Sequence, residues 1–514
     1  MSHIRGNTMV NVGQNILSFY ILLTLTQNIQ GQNTSTPHIV LIVADDLGWN
    51  DVSWNNPDIK TPNLERLALG GVILNQSYVQ PVCTPSRTAF MTGYFPYHVG
   101  RQNTYIHHLQ PSGVFLNYTY LPEKLKQLGY STHVVGKWHL GYCNWSYTPT
   151  FRGFDSFFGY YLGSEDYYTH ETHPSEFKNR GLNEQLFLDF RNNTKPAKGY
   201  DGIYSTQVFS KATTELISRL SPRVPTFLYL PFQAVHSPLE VPQKYQDMYN
   251  NIKDVNRRKY SGMVTALDEA IGNITIALKK FGFYGNSIIA FTTDNGGQVY
   301  AGGNNWPLRG NKDTLWEGGT RGPAFVHSPL LNRTGFVTDN LFHAVDWLPT
   351  LLHVAHGQAD PGIDGIDQWN MINGYGTPPR NEFIYNIYDT NTSRTRGAIR
   401  VGDYKLIIGS GGSPSGWFPP PTVNCTNLSN YTIYQQNPLE DQIYLFNIRN
   451  DPTEHHNLVT SSPHIVDKLR RRLLQHKATM IPADDPPDDP KGNPKLWNNI
   501  FSPGWCKAKG IKRF

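Results

Sequence analysis

The sequence predicts an α/β protein: a large mixed, mainly parallel sheet flanked by helices, followed by a smaller C-terminal antiparallel sheet with a helix. Three observations lead there. Short, continuously apolar runs alternate with helical stretches through the first two thirds of the 514 residues. These runs are hydrophobic at successive positions, as strands buried on both faces must be. After about Pro379 apolar and polar positions alternate instead, which suits strands covered on one face only.

In chain order, the first feature is Ile16–Leu25 (ILSFYILLTL), preceded by Arg5 and followed by Gln27-Asn28. An apolar run of about ten residues has the length of a signal-peptide core and is well short of the ~20 needed to span a bilayer. Residues 1–32 are therefore read as a signal peptide, with cleavage between Gln27 and Asn33. Eleven N-x-S/T sequons, from Asn33 to Asn430, agree with passage through the secretory pathway to a lysosomal or extracellular destination. No other apolar run approaches 18 residues, so no membrane span is expected.

Residues 33–380 then read as the main α/β domain. His38–Ala44 (HIVLIVA), Thr226–Phe232 (TFLYLPF) and Ser287–Thr292 (SIIAFT) are strand candidates, and Ser131–Val135 is a shorter one. Pro231 must end its strand, because proline cannot donate to a sheet ladder. Thr61-Pro62 opens a helix that Gly70-Gly71 closes. Leu121–Leu128 ends at Gly129, and Tyr260–Phe281 ends at Gly282. Residues 381–514 read as the smaller domain. Ala398–Ile408 and Gln442–Ile448 alternate like antiparallel strands, separated by the loop Gly409–Pro421. A helix over His464–His476 follows, with Ile465, Leu469 and Leu473 on one face and Lys468, Arg470, Arg471 and Arg472 read as a solvated one.

Composition narrows the class without naming a reaction. At 39% hydrophobic and 17% charged the chain is not disordered, and four cysteines are too few for a disulfide scaffold. A net charge of +5 is mildly basic and carries no nucleic-acid signature.

Ligands of open parallel sheets bind beyond the carboxyl ends of the strands. The first strand leads to Asp45-Asp46, the 131–135 run to Gly136-Lys137-Trp138-His139, the third to His236 and the fourth to Asp294-Asn295-Gly296-Gly297. An Asp-Asp after one strand is usually a turn, but their joint delivery to one edge describes a site. The oxygen donors Asp45, Asp46, Asp294 and Asn295 suit a hard cation, Ca²⁺ or Mg²⁺. No CxxC or HxxxH pair suggests zinc. Lys137, His139, His236 and Lys312 remain to neutralise a tetrahedral oxyanion. Trp306 and Trp316 are read first as core, with a sugar-facing role second.

The most specific element is Cys83-Thr84-Pro85-Ser86-Arg87, followed by Thr92-Gly93. It resembles the signature of the formylglycine-dependent sulfatases. Gly136-Lys137-Trp138-His139-Leu140-Gly141, the Gly302–Gly310 stretch, Trp316-Glu317-Gly318-Gly319, Gly163–Tyr168 and Trp417–Pro421 extend the likeness, especially to the arylsulfatase B (N-acetylgalactosamine-4-sulfatase) group and its near relatives. The resemblance implies an alkaline-phosphatase-like fold. It also implies a formylglycine made from Cys83 by the formylglycine-generating enzyme, and one Ca²⁺ held by Asp45, Asp46, Asp294, Asn295 and residue 83. By the same likeness Arg87 and Lys137 hold the hydrated aldehyde, assisted by a helix starting near Ser86. Lys137, His236 and Lys312 bind the sulfate, His236 or Lys312 protonates the leaving alcohol, and His139 takes the proton that resolves the covalent intermediate. The expected substrate is an aryl sulfate or a sulfated glycan such as N-acetylgalactosamine 4-sulfate in dermatan or chondroitin sulfate.

Departures matter too. The family group has more cysteines, and Gly113 stands where one of theirs is expected. With Cys83 converted, Cys143, Cys425 and Cys506 allow at most one intramolecular disulfide. Two other readings compete: a phosphoesterase of the alkaline phosphatase superfamily, whose second-metal ligands are not evident, and a catalytically silent glycan-binding protein. The oligomeric state is not legible.

Overall fold

His38–Ala44 lies in the middle of a ten-stranded sheet with every residue buried. The computed structural model describes residues 36–172, 185–389, 394–420 and 442–510. The signal-peptide segment, Cys425 and the sequons at Asn33, Asn391, Asn424, Asn427 and Asn430 lie outside them. The strands are β1 His38–Ala44, β2 Val72–Tyr78, β3 Ser131–Lys137, β4 Ser156–Tyr160, β5 Glu171–Thr172, β6 Phe187–Leu188, β7 Arg191–Asn192 and β8 Lys195–Pro196. They continue as β9 Thr226–Pro231, β10 Ser287–Thr293, β11 Phe325–His327 and β12 Phe336–His343. Ten of them form one sheet in the order β12-β2-β11-β10-β1-β9-β3-β4-β7-β8. The run β10-β1-β9-β3-β4 is parallel throughout, with Val40 of β1 facing Ile289 on one side and Leu228 on the other. β11 and β7 join antiparallel.

Every strand expected from the sequence in this region falls in that parallel centre. Pro231 is the last residue of β9, as its missing N–H requires. Successive side chains of β1 go to opposite faces: Ile39, Leu41 and Val43 pack on one side, Val40, Ile42 and Ala44 on the other. Helices Ser205–Arg219 and Val255–Lys280 cover the second face. The latter starts five residues earlier than the sequence suggested, because the Asp254 carboxylate caps it by accepting from the Arg257 N–H at 2.7 Å. The helix expected near Ser86 is Cys83–Thr92 and makes Cys83 its first residue. Ser86 instead accepts from the Gln80 N–H through Oγ.

The C-terminal strands, β13 Glu382–Asp389, β14 Thr395–Val401, β15 Tyr404–Ile408 and β16 Ile443–Asn447, form an antiparallel sheet in chain order. The Ala398–Ile408 segment is a hairpin turning at Gly402-Asp403. Helix Pro463–Lys477 buries Val466, Leu469 and Leu473 in the same apolar cluster as this sheet, whereas Ile465 is only half-buried. Lys468, Arg470, Arg471 and Arg472 are all exposed, as expected, and Arg472 also pairs with Glu382, its Nε and Nη2 donating to the carboxylate at 2.6–2.8 Å.

His476 Nε2 also meets Glu382 at 3.0 Å. Partial burial works to raise the Glu382 pKa, but His476 and Arg472 win and hold it down at about 2. A carboxylate depressed on folding stabilises above its unfolded pKa of ~4.3 and loses that contribution as pH falls through the folded value. The Glu382→Gln variant is therefore expected to be less stable than the parent at pH 6, with the gap closing between pH 5 and pH 2. Denaturant melts across that range check it.

Cys143 and Cys506 form a disulfide across 363 residues, and the N–H groups of Gly504, Trp505 and Cys506 all donate to the Cys143 carbonyl. Closing so long a loop constrains the unfolded chain. At Gly113 a Cβ would sit 2.5 Å from the Tyr147 ring, so this backbone accepts no side chain without moving that tyrosine.

Candidate active site

The carboxyl ends of the parallel strands converge as the sequence indicated. Asp45 and Asp46 follow β1, Lys137 ends β3, and Asp294 and Asn295 follow β10. His236 sits beyond β9 on a turn tied back to β1 by paired backbone bonds, Asp45 N–H to Ala234 and Val235 N–H to Asp45. β3 approaches closely because Gly136 has no side chain: a Cβ there would lie 2.1 Å from the Pro231 carbonyl, and its φ of +127° favours glycine besides.

The contacts form a continuous network. Arg87, wholly buried, donates from Nε to Asp294 Oδ2 at 2.9 Å and places Nη2 3.4 Å from Asp45 Oδ2. Lys137 Nζ donates to that same Asp45 oxygen at 2.5 Å. Lys312 Nζ lies 2.8 Å from Asp46 Oδ1, and Asn295 Nδ2 donates to the same atom at 2.7 Å. His236 Nε2 stands 3.8 Å from Asp46 Oδ2. Asp45, Cys83 and Asp294 can bring one ligand atom each within 4.8 Å of the others. Asp46 has a left-handed backbone (φ +58°), held by Tyr260, whose hydroxyl donates to its carbonyl and accepts from the Gly48 N–H.

Burial and charge set the protonation states. Burial pushes the Cys83 thiol up to about 11, against the pull of Lys137 and Lys312. The same burial, reinforced by Lys137 and Arg87, holds His139 well below the usual imidazole range. His236 is lowered by burial and by Lys312, against Asp46. Burial would raise Asp46, but Lys312 and His236 keep it low, whereas burial and Asp45 raise Asp294. Three acidic side chains thus face three basic ones beside two imidazoles whose charged form burial disfavours.

Asp45 Oδ1 and Asn295 Oδ1 are buried and accept no hydrogen bond. Leaving a buried oxygen unpaired is costly, so these two, with Asp46 and Asp294, fit a hard oxygen-seeking cation. Trp316 is core: it is completely buried, and Arg309 stacks 3.6 Å over its ring. Trp306 is half-buried. Sequence reasoning singled out ten residues at this site and missed those that hold them in place, Thr84 at His139 and Tyr260 at Asp46. Their hydrogen bonds span tens to hundreds of residues and leave no local pattern.

Fold and site together define an enzyme whose parallel strands gather basic and acidic side chains at their carboxyl ends. The Sulfatase family model matches residues 37–357. The chain is 44% identical to mouse (Mus musculus) arylsulfatase J over 93% of its own length and 82% of that protein's. It is 28% identical to pig (Sus scrofa) N-acetylgalactosamine-6-sulfatase over 92% and 91% of the two chains. The crystal structure of Ps i-CgsB in complex with k-i-k-neocarrahexaose superposes with a TM-score of 0.74 at 28% identity, covering 90% of this chain and 97% of that one. This chain belongs to the sulfatase family and is a sulfuric-ester hydrolase.

Proposed function

We propose that the enzyme acts through a formylglycine made from Cys83 by the formylglycine-generating enzyme. A single Ca²⁺ would be held by Asp45, Asp46, Asp294, Asn295 and residue 83. The substrate we propose is N-acetylgalactosamine 4-sulfate of dermatan or chondroitin sulfate, or a related sulfated glycan. The observation that carries this is the pair of unpaired buried oxygens, Asp45 Oδ1 and Asn295 Oδ1, in the same network as Arg87, Lys137 and Lys312 around Cys83. The carboxylates of Asp45, Asp46 and Asp294 are balanced by those three cations. A divalent ion therefore leaves two positive charges, matching a sulfate-ester anion together with an ionised nucleophile.

The hydrated aldehyde supplies a nucleophilic hydroxyl and a second hydroxyl for release of sulfate, and the cation supplies charge that favours the ionised form. The chain's own residues do the rest. Arg87 and Lys137 orient residue 83 and offset negative charge there. Lys137, His236 and Lys312 receive the sulfate oxygens, His236 or Lys312 gives the leaving alcohol its proton, and His139, neutral in its buried site, accepts one.

The pig N-acetylgalactosamine-6-sulfatase and the hexaose-bound neighbour support a glycan substrate. Exposed sequon asparagines Asn117, Asn192, Asn273 and Asn332 support a secretory route to the lysosome or the cell exterior, and no described helix is long and apolar enough to cross a membrane. We assign the catalytic domain to residues 33–380 and a smaller domain to 381–514.

Mass spectrometry of the Cys83 peptide from a secretory host is expected to show the aldehyde. Turnover of 4-sulfated N-acetylgalactosamine is expected to exceed that of its 6-sulfated isomer and of a simple aryl sulfate. Unmodified cysteine throughout would refute the formylglycine, and a preference for the 6-sulfate would refute the substrate.

A further inference from the structure

We propose that Thr84 is a positioning residue that sets the orientation and tautomer of His139; the inference rests on the proton-accepting role proposed for His139. Thr84 is completely buried in the first turn of the Cys83–Thr92 helix. Its Oγ1 donates to the His139 carbonyl at 3.0 Å and accepts from the Ile106 N–H at 3.2 Å. The Ile106 carbonyl in turn faces His139 Nε2 at 3.1 Å. One hydroxyl thus locks together three pieces of chain: the helix that begins at Cys83, the 101–110 loop, and the turn after β3.

The consequence for the imidazole follows from donor and acceptor chemistry. A carbonyl oxygen can only accept, so Nε2 carries the hydrogen and Nδ1 carries the lone pair. Nδ1 is buried and has no hydrogen-bond partner. The ring cannot move freely to another position. Its backbone is held at φ +59° with the His139 N–H donating to the Tyr161 carbonyl, and its Cε1 is packed so close to Gly163 that a Cβ there would lie 2.9 Å away. Thr84 therefore fixes which nitrogen of His139 is basic. Because it directly follows residue 83 in the chain, it couples that nitrogen's position to the nucleophile. Removing the hydroxyl frees both the Ile106 N–H and the His139 carbonyl, and the Ile106 carbonyl loses its register with Nε2.

The test compares Thr84→Val, which keeps the shape and removes the hydroxyl, with Thr84→Ser, which keeps the hydroxyl. In protein with equal aldehyde content by mass spectrometry, Thr84→Val is expected to lower kcat by about 10- to 100-fold with KM changed less than about twofold. Thr84→Ser is expected to stay within about threefold of the parent. A crystal structure of Thr84→Val with residue 83 left as cysteine is expected to show the His139 Nε2 to Ile106 contact broken and the Asp45–Arg87–Asp294 network intact. If Thr84→Val does not fold, Thr84→Ala carries the same comparisons. Should Thr84→Ser lose as much kcat as Thr84→Val, or should the contact and kcat both survive without the hydroxyl, the proposal is overturned. A parent enzyme without aldehyde would instead refute the reading of residue 83, and the crystallographic comparison would still decide the role of Thr84.

Discussion

Replacing Cys83 by alanine is expected to abolish sulfate-ester turnover, by about 10⁴-fold or more, while the protein remains folded. The magnitude is that of deleting the nucleophile from a site whose other parts survive. Little else should change. Cys83 is 2% exposed and opens its helix, where alanine is fully compatible. The network of Arg87 with Asp45 and Asp294 does not pass through the thiol. Serine at the same position is a sharper probe. It offers one hydroxyl and no second, so Cys83→Ser is expected to gain at most one sulfate and then stop. Intact-mass measurement after incubation with substrate, alongside a melting curve, checks both variants. Multiple turnover by the alanine variant would show that residue 83 is not the group that attacks sulfur, and multiple turnover by the serine variant would refute the resolving role of the second hydroxyl.

How much of this was legible beforehand depended on the distance over which each feature is encoded. β1, β9 and β10 could be read because a strand buried on both faces is apolar at nearly every position, whereas β3 offered only the short Val134-Val135 centre of STHVVGK. β2 reads VILNQSY and was missed, since half-covered strands near a sheet margin tolerate polar residues. The short β7 and β8 near the opposite margin, two residues each, carry no pattern at all. The residues of the candidate site were legible for a different reason. Strand ends and a five-residue signature mark them, and the sheet topology brings them together without further information. What stayed hidden is the layer behind them. Tyr260 reaches Asp46 from a helix 214 positions away, and nothing near either residue announces the contact. The Cys143–Cys506 pairing was likewise undetermined, because spacing alone cannot choose among three cysteines.

The largest effect on stability should come from a residue with no part in the chemistry. Lys405→Met is expected to destabilise the protein by about 3–5 kcal/mol, the cost of breaking a buried ion pair by removing one partner. Lys405, on β15, is completely inaccessible, with Nζ 2.9 Å from Glu317 Oε1 and 2.8 Å from Glu454 Oε1. Both carboxylates are themselves buried, and the Tyr78 and Tyr385 hydroxyls complete the cluster by donating to Glu317 at 2.8 Å. These groups come from β2, β13, β15, the start of the short helix Glu317–Thr320 and one loop, so the cluster ties the C-terminal sheet to the sheet that carries the active site. Methionine fills nearly the same volume and leaves two carboxylates facing each other without their shared cation. Burial already raises the Glu454 pKa against the pull of Lys405, and in the variant that restraint is gone. The sign of the pH dependence follows. A carboxyl whose folded pKa is raised favours the folded state more as pH falls, so the deficit of Lys405→Met should be largest near pH 8 and shrink toward pH 5. Adding Glu454→Gln removes one of the orphaned charges and is expected to recover part of the loss. Denaturant unfolding of the single and double variants at pH 8 and pH 5 measures all three quantities. A deficit that is small and independent of pH would mean that water or rearranged side chains compensate the charge, and that packing alone joins the two sheets.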